Sequence, residues 1–278
     1  EYLKTGAGSF KAAFYSDKAS LDLVAIPFFE PDQLPTSRSF FLFDPFSRVT
    51  NRVEDKPRHD LGNTELAARL YRPVLGFDAA LYAYRGFFRT PLMEPDSMTT
   101  PAKLTMVYPR LSVYGASLQG NAMGGVLSFE TGFYDSRRDR SGTDPLIPNS
   151  QARFLAGYQR SPWTDFTAGL QYYGEYMQRY GRYAAGHPAG LPKQDRLRQL
   201  LTLRLTQFLK YQTWKLSLFS FWSPTDKDFY LIPEAAWRVT DELTTTIGAN
   251  IFGGASNSTF LGQLDKNDNL YLSLRYEF

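Results

Sequence analysis

The chain has two histidines, His59 and His187. His59 is followed by Asp60, the base-and-carboxylate pairing that hydrolytic sites use to orient an imidazole. No nucleophile motif accompanies either histidine, so solvated loop histidines are the simpler reading and no catalytic residue is nominated. Asp265-Lys-Asn-Asp-Asn269 opens like a calcium loop, with oxygen donors at alternating positions. Leu270 stands where that loop needs its sixth-position Gly, and Tyr276 where it needs its twelfth-position Glu. The run Asp135-Ser-Arg-Arg-Asp-Arg-Ser-Gly-Thr-Asp144 carries both signs and suits a cation or phosphate groups, although such runs are mostly solvated loops. Cysteine is absent, which removes thiolate metal ligands and disulfides. No metal site and no cofactor are assigned.

The more informative charges are isolated ones: Glu65, Arg69, Glu130, Arg153, Asp165, Glu175, Arg204, Lys215, Glu234, Arg238 and Arg275. They fall on the polar side of a two-residue alternation. Leu201, Leu203 and Leu205 alternate with Thr202, Arg204 and Thr206, and Phe166, Ala168, Leu170 and Tyr172 with Asp165, Thr167, Gln171, Tyr173 and Glu175. Leu243, Thr245, Ile247, Ala249 and Ile251 oppose Thr244, Thr246 and Asn250, while Trp214, Leu216 and Leu218 oppose Lys215 and Ser217. The last residues place Leu270, Leu272, Leu274, Tyr276 and Phe278 against Tyr271, Ser273, Arg275 and Glu277. A period of two is a strand with one apolar and one polar face.

Alternation and turn punctuation predict thirteen strands, near 8–16, 20–29, 64–72, 76–88, 104–118, 125–135, 151–160, 163–177, 197–210, 213–223, 230–239, 242–253 and 269–278. Their connections alternate between short and long. The short ones are Ser16-Asp-Lys-Ala19, Pro73-Val-Leu-Gly-Phe77, Gln119-Gly-Asn-Ala-Met123, Arg160-Ser-Pro-Trp163, Lys210-Tyr-Gln-Thr213 and Val239-Thr-Asp-Glu242. The long ones cover 30–63, 89–103, 136–150, 178–196, 224–229 and 254–268. Pro109 and Pro233 fall inside predicted strands, where they cannot donate a ladder hydrogen bond, so bulges or shorter strands are expected there.

The composition fits this pattern. Of 278 residues, 16% are aromatic, with 22 Phe and 18 Tyr, a level suited to sheets and interfacial girdles. No run approaches the roughly 18 apolar residues of a membrane-spanning helix. A net charge of +3, from 31 basic and 28 acidic residues, is too balanced to point to nucleic acid. Short turns at one end, long loops at the other and alternating strands predict a transmembrane, antiparallel, up-and-down β-barrel in a bacterial outer membrane, with residues 1–278 as one domain. The isolated charges then line the lumen. Trp163, Trp214, Trp237, Tyr276 and Phe278 gather at the short-turn rim as a girdle, and Leu274, Tyr276 and Phe278 form a C-terminal assembly signal. The apolar cluster Phe40-Phe-Leu-Phe-Asp-Pro-Phe46 is expected either to enter the lumen or to pack over the rim.

If Phe278 ends on the periplasmic side, thirteen strands put residue 1 at the extracellular rim. Single-chain bacterial barrels have even strand numbers, so the expectation is 14 or more strands, with upstream wall outside this sequence. The lumen is then wider than that of an eight-stranded barrel.

Asn149-Ser-Gln, Gln171-Tyr-Tyr-Gly-Glu-Tyr176, Leu201-Thr-Leu-Arg-Leu-Thr-Gln207, Ser223-Pro-Thr-Asp226, Gly248-Ala-Asn-Ile-Phe-Gly253 and the closing strand resemble a group of uncharacterised porin-like outer-membrane proteins of Gram-negative bacteria. The resemblance covers the last 130 or so residues and implies fold and location more than function. It leads to the expectation of a non-enzymatic channel for passive or selective passage of small solutes. The alternative is a plugged structural barrel, the outer-membrane part of an export or electron-transfer complex. Expected partners are outer-membrane lipid and lipopolysaccharide, the barrel-assembly machinery, and an oligomeric or lumenal partner protein.

Overall fold

A computed structural model describes residues 6–33 and 40–278. Sixteen strands follow one another in these residues. They are β1 (Phe10–Tyr15), β2 (Ser20–Ile26), β3 (Arg52–Asp55), β4 (Glu65–Val74), β5 (Phe77–Phe87), β6 (Leu92–Pro95), β7 (Leu104–Val107) and β8 (Arg110–Ala122). There follow β9 (Gly125–Ser136), β10 (Gln151–Arg160), β11 (Phe166–Met177), β12 (Leu197–Leu209), β13 (Trp214–Ser223), β14 (Asp228–Arg238), β15 (Leu243–Gly254) and β16 (Asn269–Tyr276). Thirteen of them form one antiparallel sheet in chain order, and β3, β7 and β6 form a small second sheet. A seven-residue helix, α1 (Tyr180–Gly186), lies between β11 and β12. No helix among the described residues is long and apolar enough to cross a membrane, which says nothing of strands.

The large sheet is thus all-β as expected, and its thirteen strands follow the predicted segments. Turn chemistry sets the short connections. Leu75 and Gly76 both have positive φ, as do Met123 and Gly124, the conformation of a two-residue hairpin turn whose twist matches that of its strands. Consequently Pro73 and Val74, expected in a turn, belong to β4.

Gln119 to Ala122, also expected in a turn, likewise belong to β8, and further departures trace to prolines and to one connection. The segment 104–118 is two strands, because Pro109 offers no N–H; its carbonyl instead accepts from Phe88 N at 2.9 Å, and β7 leaves for the small sheet. Pro233 stays within β14. The β14–β15 pairing skips it while keeping register, with Leu231 opposite Ile251 and Glu234 opposite Gly248, so a missing ladder bond replaces the expected bulge. The connection expected at 224–229 is short, since Asp228 and Phe229 join β14. Ser223 tightens it: its Oγ accepts from Asp226 N at 3.0 Å and donates to Gln199 O at 2.8 Å.

Pairing across the sheet puts opposed residues on the same face. One face carries Leu66, Leu70, Leu81, Tyr114, Phe129, Phe133, Leu170, Ile247, Leu272 and Leu274, all exposed. By the same register the charged side chains on this face are Arg72, Arg85, Arg110, Asp135 and Arg160. Each lies within three residues of a strand end. The middle of the apolar face is free of charge across all thirteen strands.

Among the described residues the sheet is not closed: β1 pairs only with β2, and β16 only with β15. The expected place of residue 1 lies outside the described residues. At the long-loop end, however, connections from the two ends of the sheet meet. Phe41 N donates to Asn267 Oδ1 at 2.9 Å, Asn267 Nδ2 donates to Phe41 O at 2.9 Å, and Phe43 N donates to Gln263 Oε1 at 3.3 Å. Nine strand steps of about 4.8 Å would hold β4 and β15 roughly 40 Å apart in a flat sheet. The clasp is the contact expected of a sheet curled around its polar face.

Glycine and aromatic residues interlock within the ladder. Gly248 faces Tyr271 across β15 and β16, and Gly174 faces Phe154 across β10 and β11. In each pair the ring lies over the glycine, where a Cβ would overlap it. Gly248→Ala should therefore destabilise the sheet by about 1–3 kcal/mol through forced displacement of the ring. Urea unfolding followed by tryptophan fluorescence measures it; Gly181→Ala, which meets open space, should leave the midpoint unchanged.

Candidate functional site

The polar face is where the chain concentrates its charge, and its strands position that charge in pairs. At the β1 edge, Lys11 Nζ lies 3.1 Å from Asp22 Oδ2. Arg69 on β4 lies over Tyr71 and Tyr82, with its Cζ 4.3 and 5.8 Å from the ring centroids. These residues, with Asp78, Ser117 and Glu130, line a cavity of about 440 Å³. Tyr82 and Ser117 share a hydrogen bond of 2.9 Å there. Arg69 is thus held by ring faces, opposite the exposed carboxylate of Glu130.

A second group spans β10, β11 and β12 towards the long loops. Register places Arg153 opposite Glu175 and Glu175 opposite Arg198. Glu175 lies 3.5 Å from Arg153 and 3.6 Å from Arg198, and Arg198 is 2.9 Å from Asp226. Tyr173 donates to Glu175 at 2.6 Å, and Arg153 donates to Gln151 at 2.9 Å while stacking over Tyr134. Such a ladder gives each charge an opposite neighbour across the strand. Further round the sheet, Glu234 lies 3.6 Å from Lys215 and accepts from Tyr271 at 3.0 Å.

The connection 255–268 folds onto the same face. Asp228 is fully buried, and its Oδ2 accepts from Leu261 N at 2.8 Å and Gly262 N at 3.2 Å. Phe260 lies under Arg198, and Phe221, Tyr230 and Phe252 form a run of nearly parallel stacked rings, with successive centroids 5.8 and 4.1 Å apart. Between this connection and the segment 41–52 is a cleft of about 930 Å³, lined in part by Asp44, Arg52, Gln263, Asp265 and Lys266. Phe40-Phe-Leu-Phe-Asp-Pro-Phe46 therefore packs on another long connection.

Of the residues expected to face a lumen, Arg69, Glu130, Arg153, Glu175, Arg204, Lys215 and Glu234 lie on the polar face. Glu65 does too, but it is completely buried and meets no open space. Its carboxylate is 2.8 Å from Arg89 Nη2 and accepts from Tyr84 Oη. Asp165 is not in a strand. With a φ of 62° it forms the turn before β11, where its side chain accepts from Gln212 at 3.0 Å. Arg238 and Arg275 sit at the short-turn end, Arg275 paired with Glu277 at 2.8 Å. Leu274 and Tyr276 stand exposed on the apolar face, and Phe278 lies exposed beyond β16. Arg198 and Asp226 escaped notice. Arg198 shares the parity of Arg204, which was the available signal; Asp226 lies in a connection, where no periodicity points to it.

The small sheet is built from the long connections β2–β4 and β5–β8. Phe29, Phe87 and Tyr108 form its apolar contact, Leu104 is fully buried, and Tyr108 Oη donates to Glu54. That bond holds the Glu54 carboxyl below its ordinary range, against burial and with help from Lys56. In the connection after β9, burial would raise the Asp139 carboxyl, but donation from Ser141 Oγ and from the amides of Asp144 and Gly142 keeps it below its ordinary range. His59 rests edge-on against Phe28, and His187 meets the carbonyl of Leu191 at 3.0 Å. Among the described residues no group of His, Cys, Asp and Glu could hold a metal ion.

Comparison of the chain with known protein families, curated proteins and solved structures gives no match.

Two outcomes follow from these bonds. Arg89→Met leaves the buried Glu65 carboxylate without its cation and should cost about 3 kcal/mol, read as a shifted urea midpoint. Because the Glu54 carboxyl is depressed in the fold, its contribution is present above the ordinary carboxylate range and lost as pH falls through that range to its lower folded value. Amide protection at Leu104 and Thr105 should fall there, and Tyr108→Phe should flatten that dependence.

Proposed function

We propose that the large sheet is the wall of an outer-membrane β-barrel and that the protein is a porin-like channel for small solutes. The observation that carries this reading is the charge-free apolar band across all thirteen strands, backed by a polar face of paired charges. In water an exposed apolar surface of that extent is a liability. A soluble sandwich would cover it with a second sheet, whereas the other sheet among the described residues has three strands and sits at the long-loop end. A bilayer accepts such a band, with charges tolerated at its margins. The stacked Trp214 and Trp237, with centroids 5.5 Å apart, and the Trp163–Phe166 stack suit its interfacial margin.

The hydrocarbon core also rules out unpaired strand edges. β1 and β16 run in the same direction, since thirteen antiparallel strands separate them by an even number of steps. Closing the wall with antiparallel ladders takes an odd number of further strands. On this reading the polar face lines the passage, and the Arg69–Glu130 cavity and the Arg153–Glu175–Arg198–Asp226 ladder are what a solute meets. The second reading, a plugged structural barrel, is favoured by the Phe41–Asn267 clasp over the polar face.

Planar-bilayer recording on the full-length protein tests both. Stepwise conductance is expected, and Arg69→Glu should move the reversal potential towards cation preference. Asn267→Ala, which releases the clasp, should raise conductance. Absence of channels from both the parent protein and Asn267→Ala would overturn the channel reading.

A further inference from the structure

Arg110 opens β8 and Arg137 follows the last residue of β9. Leu111 is opposite Ser136, so the two arginines face one another across the ladder, joined by a bond from Arg137 N to Arg110 O at 3.1 Å. Like charges directly opposed on adjacent strands repel. Among the described residues neither forms an ion pair with a carboxylate. Arg110 lies over the Phe87 ring and donates to Asn63 Oδ1 at 2.8 Å, a neutral acceptor, and Arg137 Nη1 is shut away from solvent with no hydrogen-bond partner. A buried guanidinium N–H left unmatched is costly.

Both side chains line a groove of about 470 Å³ with Lys56, Arg138 and Arg140. Those three are matched by carboxylates, Lys56 with Glu54 at 3.1 Å, Arg138 with Glu94 at 2.8 Å and Arg140 with Asp135 at 2.6 Å. Asp55 is the acidic residue on the groove wall among those described, and it stands in no ion pair. The unmet positive charge is therefore local to Arg110 and Arg137. Guanidinium groups match phosphate oxygens in charge and geometry.

We propose that this groove binds the phosphate of an outer-leaflet lipid headgroup, an inference that rests on the barrel reading above. Position selects a lipid over a free anion. Arg110 is on the apolar face at its long-loop margin, and four residues along β8 stands Tyr114, exposed and paired with Phe133. A phosphate in the groove would direct its acyl chains down over those two rings.

The test is native mass spectrometry of the full chain in detergent micelles, titrated with diphosphoryl lipid A, with the same lipid stripped of phosphate, and with inorganic phosphate. The diphosphoryl lipid should bind, and loss of its phosphates should weaken binding roughly tenfold or more. Arg110→Gln with Arg137→Gln should weaken it as much, while Arg110→Lys with Arg137→Lys, which keeps the charge, should retain most of it. Heat-modifiable gel mobility reports whether each variant is folded. If only the Lys pair folds, its preference for the phosphorylated lipid decides the matter. Equal binding of both lipids, or binding unchanged in the Gln pair, overturns the proposal. Saturation by inorganic phosphate that displaces the lipid's phosphate preference makes it a free-anion site and overturns it too. Insertion into zwitterionic liposomes, measured separately, distinguishes the failures: a chain that inserts without preferring phosphate fails this proposal alone, and one that does not insert also fails the barrel reading.

Discussion

Residues opposed across an antiparallel ladder leave the sheet on the same side, and that constraint runs unbroken from β1 to β16. A single slip of register would turn a strand's leucines onto the charged face and its charges onto the apolar one. Continuity of register is what lets Lys11 reach Asp22, Arg153 and Arg198 share Glu175, and Lys215 reach Glu234. It also gathers apolar side chains of all thirteen strands into one surface. Even Pro233, which removes a ladder bond, leaves the phase intact on either side.

The two ends of the sheet obey different physics. Short connections are governed by backbone conformation, as the positive φ pairs at Leu75-Gly76 and Met123-Gly124 show. The long connections bury their polar groups instead. Glu65 finds Arg89, Asp228 finds the amides of Leu261 and Gly262, and Asn267 matches the backbone of Phe41. The first two satisfy carboxylates that would otherwise be shielded from water without a partner, whereas the Asn267–Phe41 bonds lie at the surface. In the proposed channel these bonds would hold the entrance, and the charge ladders would set what passes.

Individual residues show how much of this was legible. Leu201 to Thr206 announced their strand and its two faces, because alternation is written locally and depends on nothing distant. The same parity puts Arg204, Arg153 and Glu175 on the polar face, where the register has them. Asp165 was misplaced because parity cannot see a left-handed residue that starts a turn. Glu65 was given the right face but not its burial, since that depends on Arg89 and Tyr84 from other segments. β3 and β6 went unread, because four-residue strands inside long connections are too short to show a period, and β7 was read as the start of β8; β3 pairs with β7 in parallel across some fifty residues.

By itself the sequence determined the thirteen segments of the large sheet, the two faces of its strands and most of the contrast of short and long connections, all of them consequences of spacing over a few residues. Only the tertiary structure decided that the Phe40–Phe46 segment clasps the connection before β16, that Arg198 and Asp226 complete a charge ladder, and that Arg110 meets Arg137. Those pairings join residues far apart in the chain, and long-range contact is chosen by curvature and packing, which local alternation does not encode.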